Sequence, residues 1–433
     1  MEAVGRCVTA AAARSRVTTG GMQAAGRWWL AATLLLAPAP ARAVDLWTSS
    51  HGGAEAGGDV KTFLVGVRPR PHPLLPSEPS GRAALDLRLK LSAHVGEWLR
   101  VSLHPNLVAT AGAGGGLGGL AASARVGDPP EGVSLSRNLL ESSAVRVRLR
   151  LDRAAVTLHL PHVDLTAGRQ PVSFGATFFF TPMDIVAPFT PLVVDREYKP
   201  GVDALRGDVY IGTSTTVTAV AAYAGGWDLE GLVFAARAGT TLGVFDVGFF
   251  AAEARAEQVL GVDVAGELLG TAVRAEATVT VPVDREKSFL RGALGLDRRF
   301  ESGLTLMGEL YVQTFGAASA DRYLEQARDP RYARGEAWAL GRYYAAVSAG
   351  YELLPVLNTA VAVIANLGDP SLAVGPSLTW SVSDEAVVVA GLYTPVGAPP
   401  DREPTGDPAR PVRLRSEFGT MPQSAFLQMK AYF

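Results

Sequence analysis

Leu85, Leu87, Leu89 and Leu91 alternate with Asp86, Arg88, Lys90 and Ser92, and after Val95-Gly96-Glu97 the alternation resumes, with Leu99, Val101 and Leu103 set against Arg100, Ser102 and His104. A period of two sends successive side chains to opposite faces, so these runs predict a hairpin of half-buried strands. The pattern returns at Val145, Val147, Leu149 and Leu151 interleaved with Arg146, Arg148, Arg150 and Asp152. After a turn it continues at Val156, Leu158 and Leu160 with Thr157 and His159. Three arginines and an aspartate on one face need water. The outside of a soluble sandwich provides it, and so does the lumen of a pore; periodicity alone fits both.

Further strands are expected at 203–212, 215–224, 229–238, 241–252, 268–281, 288–300, 303–315, 341–353, 356–366, 371–382, 385–394 and 424–433. With a first strand near 60–68 and those between 84 and 170 the total is 18. Single-chain bacterial barrels use even numbers, so an all-β, antiparallel up-and-down transmembrane barrel of 16 or 18 strands is expected. Connections at 69–83, 111–142, 316–340 and 396–423 are long and polar or rich in Gly and Pro, whereas Tyr223-Ala224-Gly225-Gly226 reads as a short turn. That asymmetry matches long external loops and short periplasmic turns. Trp98, Trp227, Trp338, Tyr343, Tyr351, Trp380 and Tyr393 fall near segment ends, where interfacial girdles are expected.

The two ends favour the membrane. Hydrophobic residues make up 48% and charged ones 19%, yet no run after residue 43 approaches the roughly 18 apolar residues of a spanning helix. Backbone in lipid must satisfy its own hydrogen bonds, so a chain without such helices crosses only as a closed barrel. Arg27, the apolar stretch Trp28 to Ala37 and the small-residue site Ala41-Arg42-Ala43 form the three parts of a signal peptide, with cleavage expected after Ala43. Residues 1–43 are then leader and signal, with Met22 the more natural start, 44–59 an N-terminal extension and 60–433 the barrel. At the other end Ala425, Leu427, Met429, Ala431 and Phe433 share one face, with Gln428, Lys430 and Tyr432 on the other. The terminal Phe433 resembles the assembly signal of outer-membrane barrels, although Ala431 stands where a second aromatic is usual.

Composition narrows the chemistry. Cys7, the single cysteine, lies in the leader, which removes thiol catalysis and disulfides from the exported chain. Export also removes five arginines and one glutamate from 40 basic and 42 acidic residues, leaving a net charge of about −6 that argues against nucleic acid. The glycine run from Gly112 to Gly119 lacks the Lys-Ser/Thr of a phosphate loop, and neither a nucleophile elbow nor a zinc-protease helix appears. His94, His104, His159 and His162 flank turns without converging as metal ligands. No catalytic residue, metal or cofactor is expected.

One segment is distinctive. It runs Leu165-Thr166-Ala167-Gly168-Arg169-Gln170-Pro171-Val172-Ser173-Phe174-Gly175, continues through Phe178-Phe179-Phe180-Thr181-Pro182-Met183-Asp184, and ends at Asp195-Arg196-Glu197-Tyr198-Lys199-Pro200-Gly201-Val202-Asp203-Ala204-Leu205-Arg206. This resembles porin-like outer-membrane barrels, among them relatives of the alginate-export and phosphate-porin groups, in which a strand ends in Gly-Arg-Gln before Phe-Gly and Pro-x-Asp. The resemblance covers about forty residues and implies a solute channel without naming the solute. Pro171, Pro182, Pro188, Pro191 and Pro200 cannot all sit in laddered central strands, so the segment is expected to fold into the lumen, where irregular backbone is tolerated.

Arg169, Asp184, Asp195, Arg196, Glu197, Lys199, Asp203 and Arg206 then become candidates for a charged constriction, with structural pairing at the rim as the other reading. Arg88, Arg100, Arg146, Arg148 and Arg150 are the pore-lining candidates. The expected function is passive diffusion of small hydrophilic solutes across the outer membrane, with the arginine-rich early strands pointing to anions. The alternatives are a substrate-selective export or import barrel and a plugged structural or envelope-assembly barrel. The expected partners are outer-membrane lipid, the barrel-assembly machinery, the solute and, by analogy to porins, two further copies in a homotrimer.

Overall fold

The computed structural model describes residues 44–71, 78–112, 129–188, 197–283, 287–401, 405–406 and 412–433. The expected leader and signal peptide, the glycine run beyond Gly112, and Asp195 and Arg196 lie outside the described residues.

Twenty strands form one antiparallel sheet. The first eight are β1 (Val44–Ser49), β2 (Gly52–Arg68), β3 (Ser80–Val95), β4 (Leu99–Ala111), β5 (Ser136–Glu141), β6 (Val145–Leu160), β7 (Val163–Gln170) and β8 (Val202–Ile211). The next six are β9 (Thr215–Tyr223), β10 (Leu232–Leu242), β11 (Phe245–Ala254), β12 (Glu257–Leu268), β13 (Thr271–Pro282) and β14 (Phe289–Arg299). The last six are β15 (Leu304–Gln313), β16 (Tyr343–Leu354), β17 (Leu357–Asn366), β18 (Ser371–Ser383), β19 (Ala386–Val396) and β20 (Gln423–Tyr432). Two one-turn helices, α1 (Tyr323–Gln326) and α2 (Pro330–Ala333), lie between β15 and β16.

The sheet closes where β2 pairs with β20, from Asp59 opposite Tyr432 to Arg68 opposite Gln423. β1 adds only to the first part of β2, and β5 only to the stretch of β6 beyond the end of β7. Without these two accessory strands the ring is an 18-stranded up-and-down barrel, and its first strand begins at Gly52 rather than near residue 60. At the seam the Phe433 and Gly58 backbones exchange both hydrogen bonds, at 2.6 and 3.0 Å.

The total of 18 agrees with the sequence reading, but two of its members do not. Val145–Leu160 is one strand, not two joined by a turn. Pairing shifts at Pro105, so that Asp152 is an extra residue and both Asp152 and Arg153 face inward. A bulge reverses the parity of everything after it, which imitates a turn in a period-two pattern. The compensating omission is β12. It follows a two-residue turn, Arg255-Ala256, in which both residues have positive φ, 54° and 61°. Such turns are normally announced by Asn-Gly or a similar pair, and here nothing announces it.

The connections 96–98, 161–162, 212–214, 243–244, 269–270, 300–303, 355–356 and 384–385 share one end with the start of β2 and the end of β20. The long connections 112–144, 171–201, 314–342 and 397–422 join strands at the other end. The Tyr223–Gly226 turn opens the 224–231 connection and belongs to the long end, contrary to expectation.

Outward positions carry exposed Leu89, Leu103, Leu149, Leu165, Leu205, Phe249, Leu260, Leu294, Leu310 and Leu427. An apolar belt of this extent is stable against lipid, not water. Among the described residues no helix is long and apolar enough to cross a membrane, so the belt is carried by strands. Trp98, Trp227, Tyr343, Tyr351 and Trp380 are exposed as girdle residues should be. Trp338 and Tyr393 are not: Trp338 stacks on Phe180 and Tyr393 packs against Phe426 on the inward face.

Candidate functional site: the lumenal constriction

Inward parity divides the lumen into two walls. On β2, β3, β4, β6 and β20 it presents Lys61, Arg88, Lys90, Arg100, Arg150 and Lys430 with Asp59, Asp86 and Asp152 among them. On β13, β14 and β15 it presents Glu276, Arg291, Asp297 and Glu309. The connection after β7 is strung between these walls.

Its first half packs inward. Val172, Phe174, Met183, Ile185 and Val186 form a core with inward Val202, Val220, Ala222, Val233, Phe250 and Val259. Phe180 stacks on Tyr311 with ring centroids 4.6 Å apart. The backbone between is held by two carboxylates. Glu276 accepts the amides of Ala176, Thr177 (2.7 Å) and Met183 (3.2 Å) and the Thr177 hydroxyl (2.7 Å). Glu309 accepts those of Phe178, Phe179 and Phe180 at 2.9, 3.1 and 2.6 Å. Irregular backbone cannot be buried with its amides unsatisfied, and these two side chains replace a ladder.

The second half returns along the basic wall. Glu197 accepts from Lys61 (2.9 Å), Lys430 (2.5 Å) and the Tyr432 hydroxyl (3.0 Å). Burial alone would raise its carboxyl, but the hydrogen bonds from Lys430 and Lys61 outweigh this and hold it below its ordinary range. The Tyr198 ring lies over Arg88 at 3.6 Å and Arg153 at 4.3 Å, and its hydroxyl meets His104. Arg153 donates to the Lys199 carbonyl and Arg150 to that of Gly201, the latter at 3.1 Å. Lys199 bridges the halves by reaching Asp184 at 2.6 Å. Burial pushes the Asp184 carboxyl up to about 6 against the pull of that lysine.

The other candidates divide by surroundings. Arg88 is 1% exposed, with Asp152 at 3.3 Å and Asp59 at 3.7 Å. Arg150 is buried beside it. Arg146 and Arg148 stay open to the long-loop end, Arg146 paired with exposed Glu141 at 2.7 Å. Arg100 is exposed at the short-turn end. Arg206 pairs with Asp208 on its own strand at 2.7 Å. Arg169 and Asp203 stand opposite each other on the parity that faces away from Thr166 and Arg206. Arg169 grips both Asp203 oxygens at 2.8 Å and donates to the carbonyls of Leu151 and Val133, while Asp203 accepts the amides of Gly132 and Val133. This pair clamps the 131–133 segment where β7 ends. The anchoring roles of Glu276, Glu309 and Tyr198 carry no sequence signal, because each depends on a partner about forty to a hundred and thirty residues away.

A closed antiparallel barrel of 18 strands, with short turns at one end and long connections at the other, is the architecture of outer-membrane porins. Solved structures of that class share it across most of the chain. The BenF-like porin from Pseudomonas fluorescens Pf-5 superposes with a TM-score of 0.56 at 8% identity, covering 88% of this chain and 98% of its own. OccAB3 of Acinetobacter baumannii gives 0.54 at 9% identity, covering 88% and 99%, and OccD3 (OpdP) of Pseudomonas aeruginosa gives 0.52 at 9%, covering 87% and 91%. The likeness is one of fold. No family model matches the sequence, and no curated protein matches it either.

Proposed function

We propose that this protein is an outer-membrane channel for passive diffusion of small hydrophilic solutes, with a preference for anions set beside the lumenal loop. The observation that carries the reading is the fate of the charges at that level. Glu276, Glu309 and Asp263 are each 3% exposed and occupied, the first two by loop amides and the third by Arg237. Lys90 and Arg148 keep 38% and 32% of their side chains exposed, and Arg146 61%. The exposed acids beside them, Glu197 at 46% and Glu141 at 51%, are each held by cations, Glu197 by Lys61 and Lys430 and Glu141 by Arg146. The balance of accessible charge at this level therefore tilts positive although the chain as a whole is slightly acidic, and charged side chains around a narrow passage select ions. Outer-membrane localisation follows from the apolar belt.

Planar-bilayer recordings of the refolded protein test this. Stable open steps with a reversal potential on the anion side are expected, and Arg146→Gln with Arg148→Gln moves that potential toward zero. Absence of steps from a folded barrel would instead favour a plugged, structural barrel.

A further inference from the structure

At the short-turn end, which faces the periplasm in barrels of this kind, the turns divide into two arcs. Those at 384–385, 96–98, 161–162 and 212–214 are polar but for Pro161 and the girdle residue Trp98. Those at 243–244, 269–270, 300–303 and 355–356 each present an exposed apolar side chain, Val244, Leu269, Phe300 and Val356. Leu269 is the extreme case, 88% exposed with φ of +53°, ahead of Gly270 at +73°. Both positions of such a turn need positive φ, which Asn or Asp adopts more readily than Leu, so this side chain strains the backbone and gains nothing within the protein. Single apolar residues on a surface need no explanation, but this one extends a belt. Leu260, Val262 and Leu268 stand exposed along the outward face of β12, and Leu242 and Val244 end the hairpin beside it. The belt meets lipid, and lipid covers its continuation in the same way.

A cation lies beside that turn. Arg298 is exposed on the outward face of β14, opposite Leu306. Its guanidinium lies 5.4 Å from the Phe300 ring centroid and reaches toward the turn, where a Cβ added to Gly270 would stand 4.0 Å from its Nη2. Among the described residues no carboxylate pairs with it, whereas Arg299 has Glu352 at 3.7 Å. A long basic side chain on a lipid-facing strand keeps its apolar stem in the hydrocarbon and carries its charge to the headgroup level, where a phosphate matches the guanidinium in two-point contact. Glu301, exposed in the turn that follows, likewise has no ion pair among the described residues. A headgroup with one phosphate and one ammonium offers a partner to each, whereas an anionic headgroup serves the arginine alone. We propose that Arg298 and the 269–270 and 300–303 turns form a docking site for a zwitterionic phospholipid of the periplasm-facing leaflet, with Arg298 on its phosphate and Leu268, Leu269 and Phe300 against its chains. The site goes beyond the channel reading and holds whether or not the lumen conducts.

Residues 44–433 contain no cysteine, so single fluorescent labels can be placed at will. With the protein refolded into vesicles of phosphatidylethanolamine and phosphatidylglycerol, an NBD label on Leu269→Cys should be quenched more by doxyl-labelled lipid than by aqueous iodide, and on Thr213→Cys, in the polar arc, the order should reverse. Native mass spectrometry of the detergent-extracted protein then measures retained phosphatidylethanolamine. Arg298→Gln should weaken retention about tenfold, Arg298→Lys by less, and Leu269→Asn, although it suits the turn better, about fivefold. Arg299→Gln, on the lumen-facing parity of the same strand, should leave retention unchanged. Folding of each variant is checked by heat-shifted gel mobility; if Arg298→Gln fails it, Leu269→Asn decides. A label at 269 as open to iodide as the one at 213 overturns the proposal and points to a periplasmic protein as the covering partner. Retention indifferent to Arg298 and Leu269 overturns it too, and tighter retention of phosphatidylglycerol than of phosphatidylethanolamine overturns the zwitterionic headgroup.

Discussion

Glu309 offers the sharpest test of what holds the constriction in place. It is 3% exposed and accepts three consecutive amides, those of Phe178, Phe179 and Phe180. Hydrogen bonds to a charged group contribute about 1.5–3 kcal/mol each, so three sum to several kcal/mol before the cost of burying the carboxylate is subtracted. Glu309→Ala recovers that cost but strands the amides, for a net loss of about 3 kcal/mol of loop docking, roughly a 100-fold shift toward the detached loop. The barrel itself should stay folded, because its closure rests on the β2–β20 ladder and not on this contact. Glu276 lies close enough that the two carboxylates repel, so adding Glu276→Ala should cost less than a second full increment. Single-channel recording reads the outcome. Glu309→Ala should flicker, and the double variant should conduct at least about twofold more, since an unfilled barrel of this size leaves an aqueous channel. Unchanged conductance and noise in a folded double variant would refute the argument that these carboxylates hold the loop across the lumen.

Three further outcomes follow from the same contacts. Glu417, in the connection before β20, bonds Tyr344, Asn366 (2.6 Å) and the Leu340 amide (2.8 Å), and burial pushes its carboxyl up to about 7. Its folded value lies above its ordinary 4.5, so its contribution is fully present below about pH 4.5 and is lost as pH rises through 7; hydrogen exchange at the Leu340 amide, corrected for intrinsic rate, should quicken between pH 6 and 8, and Glu417→Gln should remove that dependence. Glu197 has the opposite sign: its depressed carboxyl stabilises the loop's return above its ordinary 4.5 and releases it as pH falls further, so current noise should rise in acid, and Lys61→Gln with Lys430→Gln should produce that noise already at neutral pH. A side chain at Gly58 would meet the Arg88 carbonyl oxygen and stand 2.6 Å from Phe433 Cζ, so Gly58→Val should destabilise the seam by about 1–3 kcal/mol and lower the temperature of the heat-induced gel shift.

Much of the architecture is legible in the alternation itself. A period of two places Leu85, Leu87 and Leu89 on one face and Asp86, Arg88 and Lys90 on the other whatever the rest of the chain does, and repeated without spanning helices it admits few folds besides a barrel. The prolines between 171 and 200 likewise exclude laddered strand locally. What alternation cannot report is what covers a face. Inward residues of β9 and β10 such as Val220, Ala222, Val233 and Ala235 are apolar because the loop packs on them, and nothing in those strands distinguishes this from an outward surface. Arg88 and Arg146 occupy equivalent sequence patterns, yet Tyr198 and Asp152 bury the first while the second meets solvent. Arg169, Asp184, Glu197 and Asp203 were legible as one charged segment, but their division into a wall clamp and two loop contacts depended on partners at Val133, Lys61 and Lys430. Local sequence determined which face each side chain takes, because that is backbone geometry; closure of the ring and the path of one loop decided which of those faces meet lipid, water or protein, because those contacts join residues far apart in the chain.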